Sequence, residues 1–413
     1  MKPDILFLNV EFPVPTDNGG KIAVMGFLEA LCEVGNLTLL TFGEGDLEKN
    51  RRELQCILPA IDSIHIVPHK IHIRRDIRAI LCVVRQMFKR HLPYFAAKFV
   101  SSQFSETLGM ILSEKTYNHI ILCHDTRLGA YLPQLRTQAP QACIDSIVID
   151  IETNVLSDFI KQHQLSLLKQ LARIERRRCA RFEQSVRDNL DHIFCLSVTD
   201  MEQISQEGKE RSVSYLPTYI KPDPKENTCS SGIATNTLTI LMVSDFTWQP
   251  NAEAVEWMLT QVAPRLWAME SDARFKLVGK GSSEIASRLG DERVSGLGFV
   301  DDLDKLYRET TAVAVPVLST SGIRIKLLDA MRSALPIVST DTAARAIGAI
   351  DGEHLMASND PQNFARKIVD IFENPGLAGQ LRKSAAAFIN EKHSIPTICA
   401  EFEKYMSVSE KVS

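Results

Sequence analysis

The stretch Ser319-Thr320-Ser321-Gly322-Ile323-Arg324-Ile325-Lys326-Leu327-Leu328-Asp329-Ala330-Met331 sets a glycine turn, two cations and a carboxylate directly behind an apolar run at 311–317. A strand that ends in a glycine-containing turn and opens a helix presents unpaired N–H groups and the positive end of the helix dipole. That arrangement suits a phosphate or pyrophosphate. Arg324 and Lys326 add full positive charge beside those amides. Asp329, about two turns in, can accept hydrogen bonds from vicinal hydroxyls such as those of a ribose. The bland alternative makes Asp329 a solvent-facing helix residue and the two cations surface decoration.

A second glycine turn, Asp17-Asn18-Gly19-Gly20-Lys21, opens a helix soon after the apolar run Ile5–Val10. Consecutive glycines allow a ligand close to the backbone, although a plain tight turn fits equally. Neither G-x-x-x-x-G-K-[ST] nor G-x-G-x-x-G follows this strand. His124-Asp125 succeeds the apolar run Ile120–Cys123, and Asp150, Glu152 and Asn154 lie at and after the next one. These polar residues can hold a polyhydroxylated ligand or simply cap helices and satisfy the fold. The turn Trp248-Gln249-Pro250-Asn251 reads as a helix entry with Asn251 as N-cap, and Trp248, Trp257 and Trp267 read mainly as core. In open α/β sheets ligands bind beyond the carboxyl ends of the strands. With one glycine turn in each half of the chain, a cleft between the halves is the natural common site.

The elements that must position these residues form a regular series. Apolar runs of strand length recur at 5–10, 37–42, 63–67, 119–123, 146–151 and 192–197, separated by stretches long enough for crossover helices. Strands alternating with helices predict a parallel, doubly wound α/β sheet. A polar, proline-bearing stretch at 217–238 reads as a linker. Strands then restart at 239–243 and continue at 274–278, 311–317 and 336–339. Two domains are predicted, residues 1–216 and 239–392, followed by a final helical segment 393–413. The length of 413 residues also exceeds what a single core usually supports.

Composition excludes several classes. The chain has 45% apolar and 24% charged residues and a net charge of −4, the profile of a packed globular protein rather than a nucleic-acid binder. Nine scattered cysteines form no zinc spacing and read as reduced thiols. No signal peptide or run of about 18 apolar residues is evident, so a cytoplasmic location is expected. From His69 to Val100, basic residues (Lys70, Arg74, Arg75, Arg78, Arg85, Lys89, Arg90, Lys98) interleave with apolar ones at helical spacing. This is an ordinary surface helix or one that docks on an anionic membrane surface or acceptor. A second cluster, Arg173, Arg176, Arg177, Arg178 and Arg181 with Glu175 and Glu183, reads as the solvated face of a long helix.

Pro-x-Pro-x-Asp-Asn-Gly-Gly near the start, Val243–Asn251, Lys276–Gly281, Gly298–Leu303, Gly322–Met331 and Pro336–Thr340 together resemble the family 4 retaining glycosyltransferases of GT-B fold. The resemblance is strongest to the Trp-x-Pro-Asn branch associated with bacterial exopolysaccharide synthesis. It implies two Rossmann-like, doubly wound domains facing across a cleft, the second holding a nucleoside diphosphate sugar and the first contacting the acceptor. Asp329 then stands where a Glu usually binds the ribose, with Ser321 at the place of the partner Glu eight positions earlier. Gly322, Ile323 and Lys326 flank the diphosphate, with Arg324 beside Lys326. Gly19 and Gly20 face the donor phosphate and acceptor, and His124 lies near the transferred sugar. The helix around Ile395–Tyr405 crosses back to the first domain. The implied activity is metal-independent, retaining hexosyl transfer to a glycan or lipid-linked acceptor, without cofactor. A catalytically silent scaffold of the same fold and a nucleotide-sugar epimerase are the alternatives.

Overall fold

A computed structural model describes residues 2–69, 85, 91–162, 166–207, 212–221, 237–300, 306, 310–318, 322, 324–333 and 335–409. Most of the basic stretch 69–100, the linker residues 222–236, Ser321 and Ile323 lie outside the described residues. The chain forms two compact units. The first comprises Met1–Tyr219, Ser321–Ile323 and Ile395–Ser413, and the second Ile220–Thr320 and Arg324–Ser394.

The first unit is built on a seven-stranded sheet of β1 (Asp4–Asn9), β2 (Asn36–Gly43), β3 (Ser63–Pro68), β4 (His119–Cys123), β5 (Cys143–Val148), β6 (His192–Cys195) and β7 (Val213–Tyr215). The order is β3-β2-β1-β4-β5-β6-β7 and every pairing is parallel. The central strand shows why its sequence is apolar without alternation. Ile5 and Phe7 enter one hydrophobic layer with Phe27, Leu31 and Phe402, while Leu6 and Leu8 enter another with Phe104, Leu108 and Tyr131. A strand covered on both faces has no solvent side on which polar residues would be favoured.

The helix Gly19–Val34 begins where Asn18 accepts a hydrogen bond from the Lys21 N–H at 3.0 Å, an ordinary N-cap. The helix Ile395–Ser409 places Ile398, Phe402 and Met406, four residues apart, in the same layer as that helix. Each such buried side chain contributes about 1.5–3 kcal/mol. Tyr405 also donates its hydroxyl to Asp145 at 2.7 Å and stacks on His192.

The second unit carries β8 (Thr239–Val243), β9 (Arg274–Val278), β10 (Val294–Gly296), β11 (Ala312–Val315), β12 (Ile337–Ser339) and β13 (Met356–Ala357). Their order is β10-β9-β8-β11-β12-β13, again all parallel. Ile240, Met242, Phe275 and Leu277 form its core with Phe364 and Ile368 of the helix Pro361–Glu373. In both sheets the strand order reverses beside the first strand, between β1 and β4 and between β8 and β11. Such switch points leave a crevice beyond the carboxyl ends of the strands.

Candidate functional site

In the second unit the crevice is a cavity of about 410 Å³, within the range of small-molecule sites. Ser244 and Asp245 reach it from the end of β8, Gly279 and Lys280 from the end of β9, and Val313 and Val315 from β11. Lys326 and Asp329 come from the helix Ile325–Arg332 that follows β11, and Phe299, 85% exposed, supplies an aromatic wall.

Lys326 is the organising cation. Its ammonium donates to Ser244 Oγ at 2.9 Å and to Asn251 Oδ1. Asn251 is held in turn, its Nδ2 donating to the Asp245 carbonyl at 2.6 Å. Crowding by protein lowers the Lys326 pKa to about 8, with Asp245 acting in the opposite sense. The Asp245 carboxylate accepts from the Thr247 hydroxyl at 2.6 Å and from the Thr247 N–H at 2.9 Å. These bonds, with the more distant charges of Lys280 and Lys326, hold its pKa below the usual carboxylate value.

Asp329 lines the cavity and accepts two hydrogen bonds from Arg332 at 2.8 and 3.1 Å, which orient its carboxylate. The helix starts at Ile325, so Asp329 stands just over one turn from its mouth, closer than the sequence spacing suggests. Arg324, expected beside Lys326, is buried as the residue capping this helix and is not among those lining the cavity. Gly322 is buried with φ of 101°.

Two other readings of this unit are corrected. Trp248, expected in the core, is 63% exposed and is itself the N-cap residue of the helix Gln249–Trp257. Asn251 is therefore inside the first turn, which frees its amide for Lys326. Trp257 and Trp267 do pack against the core. From the sequence, Asn251 has only a capping role and Ser244, Lys280 and Phe299 stand only within motif stretches, none of the four as a site residue. Ser244, Lys280 and Phe299 follow the carboxyl ends of β8, β9 and β10, and Asn251 lies in the first turn of the helix after β8.

In the first unit, Gly19 and Gly20 form the first turn of their helix beyond β1. A Cβ on Gly20 would meet only Asn18 Oδ1, at 3.4 Å. Lys21 beside them is neutralised by Glu11 at 3.3 Å and Asp17 at 3.0 Å. His124 follows β4, the neighbour of β1, so it shares the switch point. It is buried, in the left-handed region with φ 76° and ψ 89°. Burial, reinforced by Arg127, drives its pKa well below the usual histidine value, so the imidazole is neutral. Asp150, Glu152 and Asn154 turn to protein partners. Arg127 Nε donates to Glu152 at 2.7 Å, its Nη2 lies 3.8 Å from Asp150, and Asn154 donates to Gln203 at 2.8 Å. Glu183, read from sequence as part of a solvated face, is instead buried, whereas Arg173, Arg176, Arg177 and Arg181 are exposed.

Burial raises the Glu152 pKa from 4.5 to about 7, against the pull of Arg127. Between those values the folded protein keeps a proton that the unfolded chain has released. Stability should therefore fall as pH rises through this window, by on the order of 3 kcal/mol in all. Glu152→Gln should flatten that slope, read from urea midpoints between pH 4.5 and 7; an unchanged slope would exclude Glu152 as its source.

Comparison with known proteins agrees with this architecture. Residues 237–374 match the family described as Glycosyl transferases group 1. Over 98% of this chain and 99% of the other, the structure is similar to Anabaena HepE, solved with UDP and glucose, at a TM-score of 0.62 and 14% identity. The fold is GT-B. Sucrose-phosphate synthase from Thermosynechococcus elongatus is similar over 99% and 100% of the two chains, at a TM-score of 0.66 and 14% identity. A 44.6 kDa protein of the cps region of Klebsiella pneumoniae is 20% identical over 94% of this chain and 96% of its own. The match of residues 237–374 to this family supports glycosyl transfer as the chemistry of that part of the chain. Among the described residues no helix is long and apolar enough to cross a membrane.

Proposed function

We propose that the protein is a retaining hexosyltransferase, of the family 4 branch it resembles, that takes its sugar from a nucleoside diphosphate donor. The observation that carries this reading is the Lys326 ammonium in the switch-point cavity, fixed by two neutral acceptors, with the Asp329 carboxylate one turn further along the helix. In this reading the diphosphate lies against Lys326, the ribose hydroxyls donate to Asp329, and the base lies along the apolar wall of Val278, Val300 and Phe299. The bond from the anomeric carbon to the diphosphate breaks as the acceptor hydroxyl oxygen bonds to that carbon, and the hydroxyl proton leaves to the departing diphosphate. Negative charge grows on the diphosphate, so a preformed cation lowers the barrier most where charge develops. Lys326 supplies that charge from the chain itself, which makes the transfer metal-independent in this reading.

The acceptor is a glycan or lipid-linked sugar. UDP-glucose is the first donor to try and UDP the first binding probe, because Anabaena HepE was solved with them. Docking on an anionic membrane surface through residues 69–100 belongs to the same proposal, and binding to anionic vesicles that is absent or insensitive to salt removes it. The test is transfer or donor hydrolysis across a panel of uridine and guanosine diphosphate sugars, with and without a chelator. Binding without turnover would favour a silent scaffold, isomerised donor an epimerase, and neither binding nor turnover would overturn the nucleotide-sugar reading.

A further inference from the structure

His124 holds a backbone conformation that costs a non-glycine residue about 1–3 kcal/mol and persists only where its surroundings over-determine it. The two backbone groups of the residue are fixed directly. Its N–H donates to Ile147 at 2.9 Å and its carbonyl accepts from Leu128 at 3.1 Å. The next residue, Asp125, is 1% exposed, and its two carboxylate oxygens are fixed separately. Oδ1 accepts from the Thr126 N–H at 2.7 Å, and Oδ2 from Arg187 Nε at 2.8 Å. Arg187, at the end of the helix Ser166–Arg187, is as buried as Asp125.

One turn earlier on that helix, Glu183 joins the starts of two other helices, Asp125–Leu128 and Glu152–Gln162. Its Oε1 lies 3.2 Å from the Thr126 hydroxyl and 3.3 Å from the Thr153 N–H, and its Oε2 accepts from the Thr153 hydroxyl at 2.8 Å. Thr126 follows β4 and Thr153 follows β5, so a single carboxylate ties the chain beyond two adjacent strands to one helix. Buried ion pairs of this kind rarely stabilise a fold more than apolar side chains of the same volume would. Their geometry, unlike that of a greasy contact, is directional. What the assembly specifies better than packing could is the position of the chain as it leaves β4, and the residue at that exit, directly before Asp125, is His124.

We propose that Asp125, Arg187 and Glu183, linked through Thr126, are positioning residues that fix His124 for the transferred sugar without touching substrate themselves. The inference rests on the transferase reading and on the role that reading gives His124.

The test is a double-mutant cycle. Thr126→Val removes only a hydroxyl of the assembly and keeps the volume, so the variant should fold. His124→Ala should lower kcat roughly 10- to 100-fold. Thr126→Val should lower kcat about tenfold in the wild-type background, with KM for the donor little changed, and should cause no further loss in the His124→Ala background. Thr126→Ser, which restores the hydroxyl, should recover the rate. Equal losses in both backgrounds, or a lowered Tm with kcat unchanged, would mean that the assembly only supports the fold.

A second readout keeps this separate from the activity. In protein labelled with nitrogen-15 histidine, Thr126→Val should shift or broaden the His124 ring signals and leave those of His354, in the other unit, in place. Unmoved His124 signals overturn the positioning inference even if the transferase reading holds. Moved signals in a protein that turns over no nucleotide sugar sustain the mechanical coupling while the transferase reading fails.

Discussion

Replacing Lys326 by Met should weaken binding of nucleoside diphosphates by roughly 10- to 100-fold, the usual worth of a hydrogen bond to a charged group. An ammonium has three donors. Two of them are committed to Ser244 Oγ and Asn251 Oδ1, both neutral acceptors, which leaves one N–H and the whole positive charge for an anion in the cavity. Among the described residues no carboxylate lies within ion-pairing distance of this ammonium. That contrasts with Lys21 at the other glycine turn, whose charge is met by Glu11 and Asp17. The same protein shell that aligns Lys326 brings its pKa to about 8. Affinity for the diphosphate should therefore be highest below that value and decline as pH rises through it, because the neutral amine offers no charge. Calorimetric titration with uridine diphosphate at pH 7 and pH 9 reads both effects. Lys326→Met should bind weakly at both and show a much smaller difference between them. Binding within twofold of wild type, or an undiminished pH dependence in the variant, would remove Lys326 from the site.

How far the sequence discloses this arrangement depends on how local each cause is. The two sheets are legible because strands buried on both faces must be continuously apolar, as Ile5–Leu8 and Ile240–Met242 are. β7, β10 and β13 leave no mark in the sequence because edge strands of two or three residues carry too few side chains for a pattern. The apolar run at 146–151 starts three residues later than β5 itself, Cys143–Val148. The first half of β5 contains Asp145, a buried carboxylate held by His119 and Tyr405, and a polar residue inside a strand masks the apolar run.

The site divides along the same line. Lys326 and Asp329 follow from a rule about one helix mouth. Their partners Ser244 and Asn251 belong to a different strand and helix, more than 70 residues away, and reach Lys326 only because β8 and β11 are neighbours in the sheet. The inward turn of Glu183 is hidden in the sequence for a related reason. The residue sits in a helix rich in exposed arginines, and nothing in the local pattern distinguishes the one carboxylate that turns inward to meet Thr126 and Thr153.

Gly279→Ala tests whether the cavity depends on backbone as closely as on side chains. Gly279 has φ of 118°, a region closed to L residues, and a Cβ built there would lie 2.1 Å from the Ser244 carbonyl oxygen. The neighbouring atoms cannot easily yield, because the Gly279 N–H is bonded to Gly298 at 2.7 Å and the Ser244 N–H to Val278 at 2.9 Å. Backbone strain of about 1–3 kcal/mol and a steric term of similar size should together cost about 3 kcal/mol or more. For a unit of this size that lowers Tm by about 6–12 °C. Any relief must come from moving Ser244, and Ser244 is one of the two residues that aim Lys326, so nucleoside diphosphate affinity should fall along with stability. Gly290→Ala provides the contrast. Gly290 also has positive φ, 66°, but a Cβ there meets nothing within 4 Å, so it should show the strain alone, about 1 kcal/mol, with binding unchanged. If the two variants lose the same stability and both bind normally, the close approach of Gly279 to Ser244 does not shape the site.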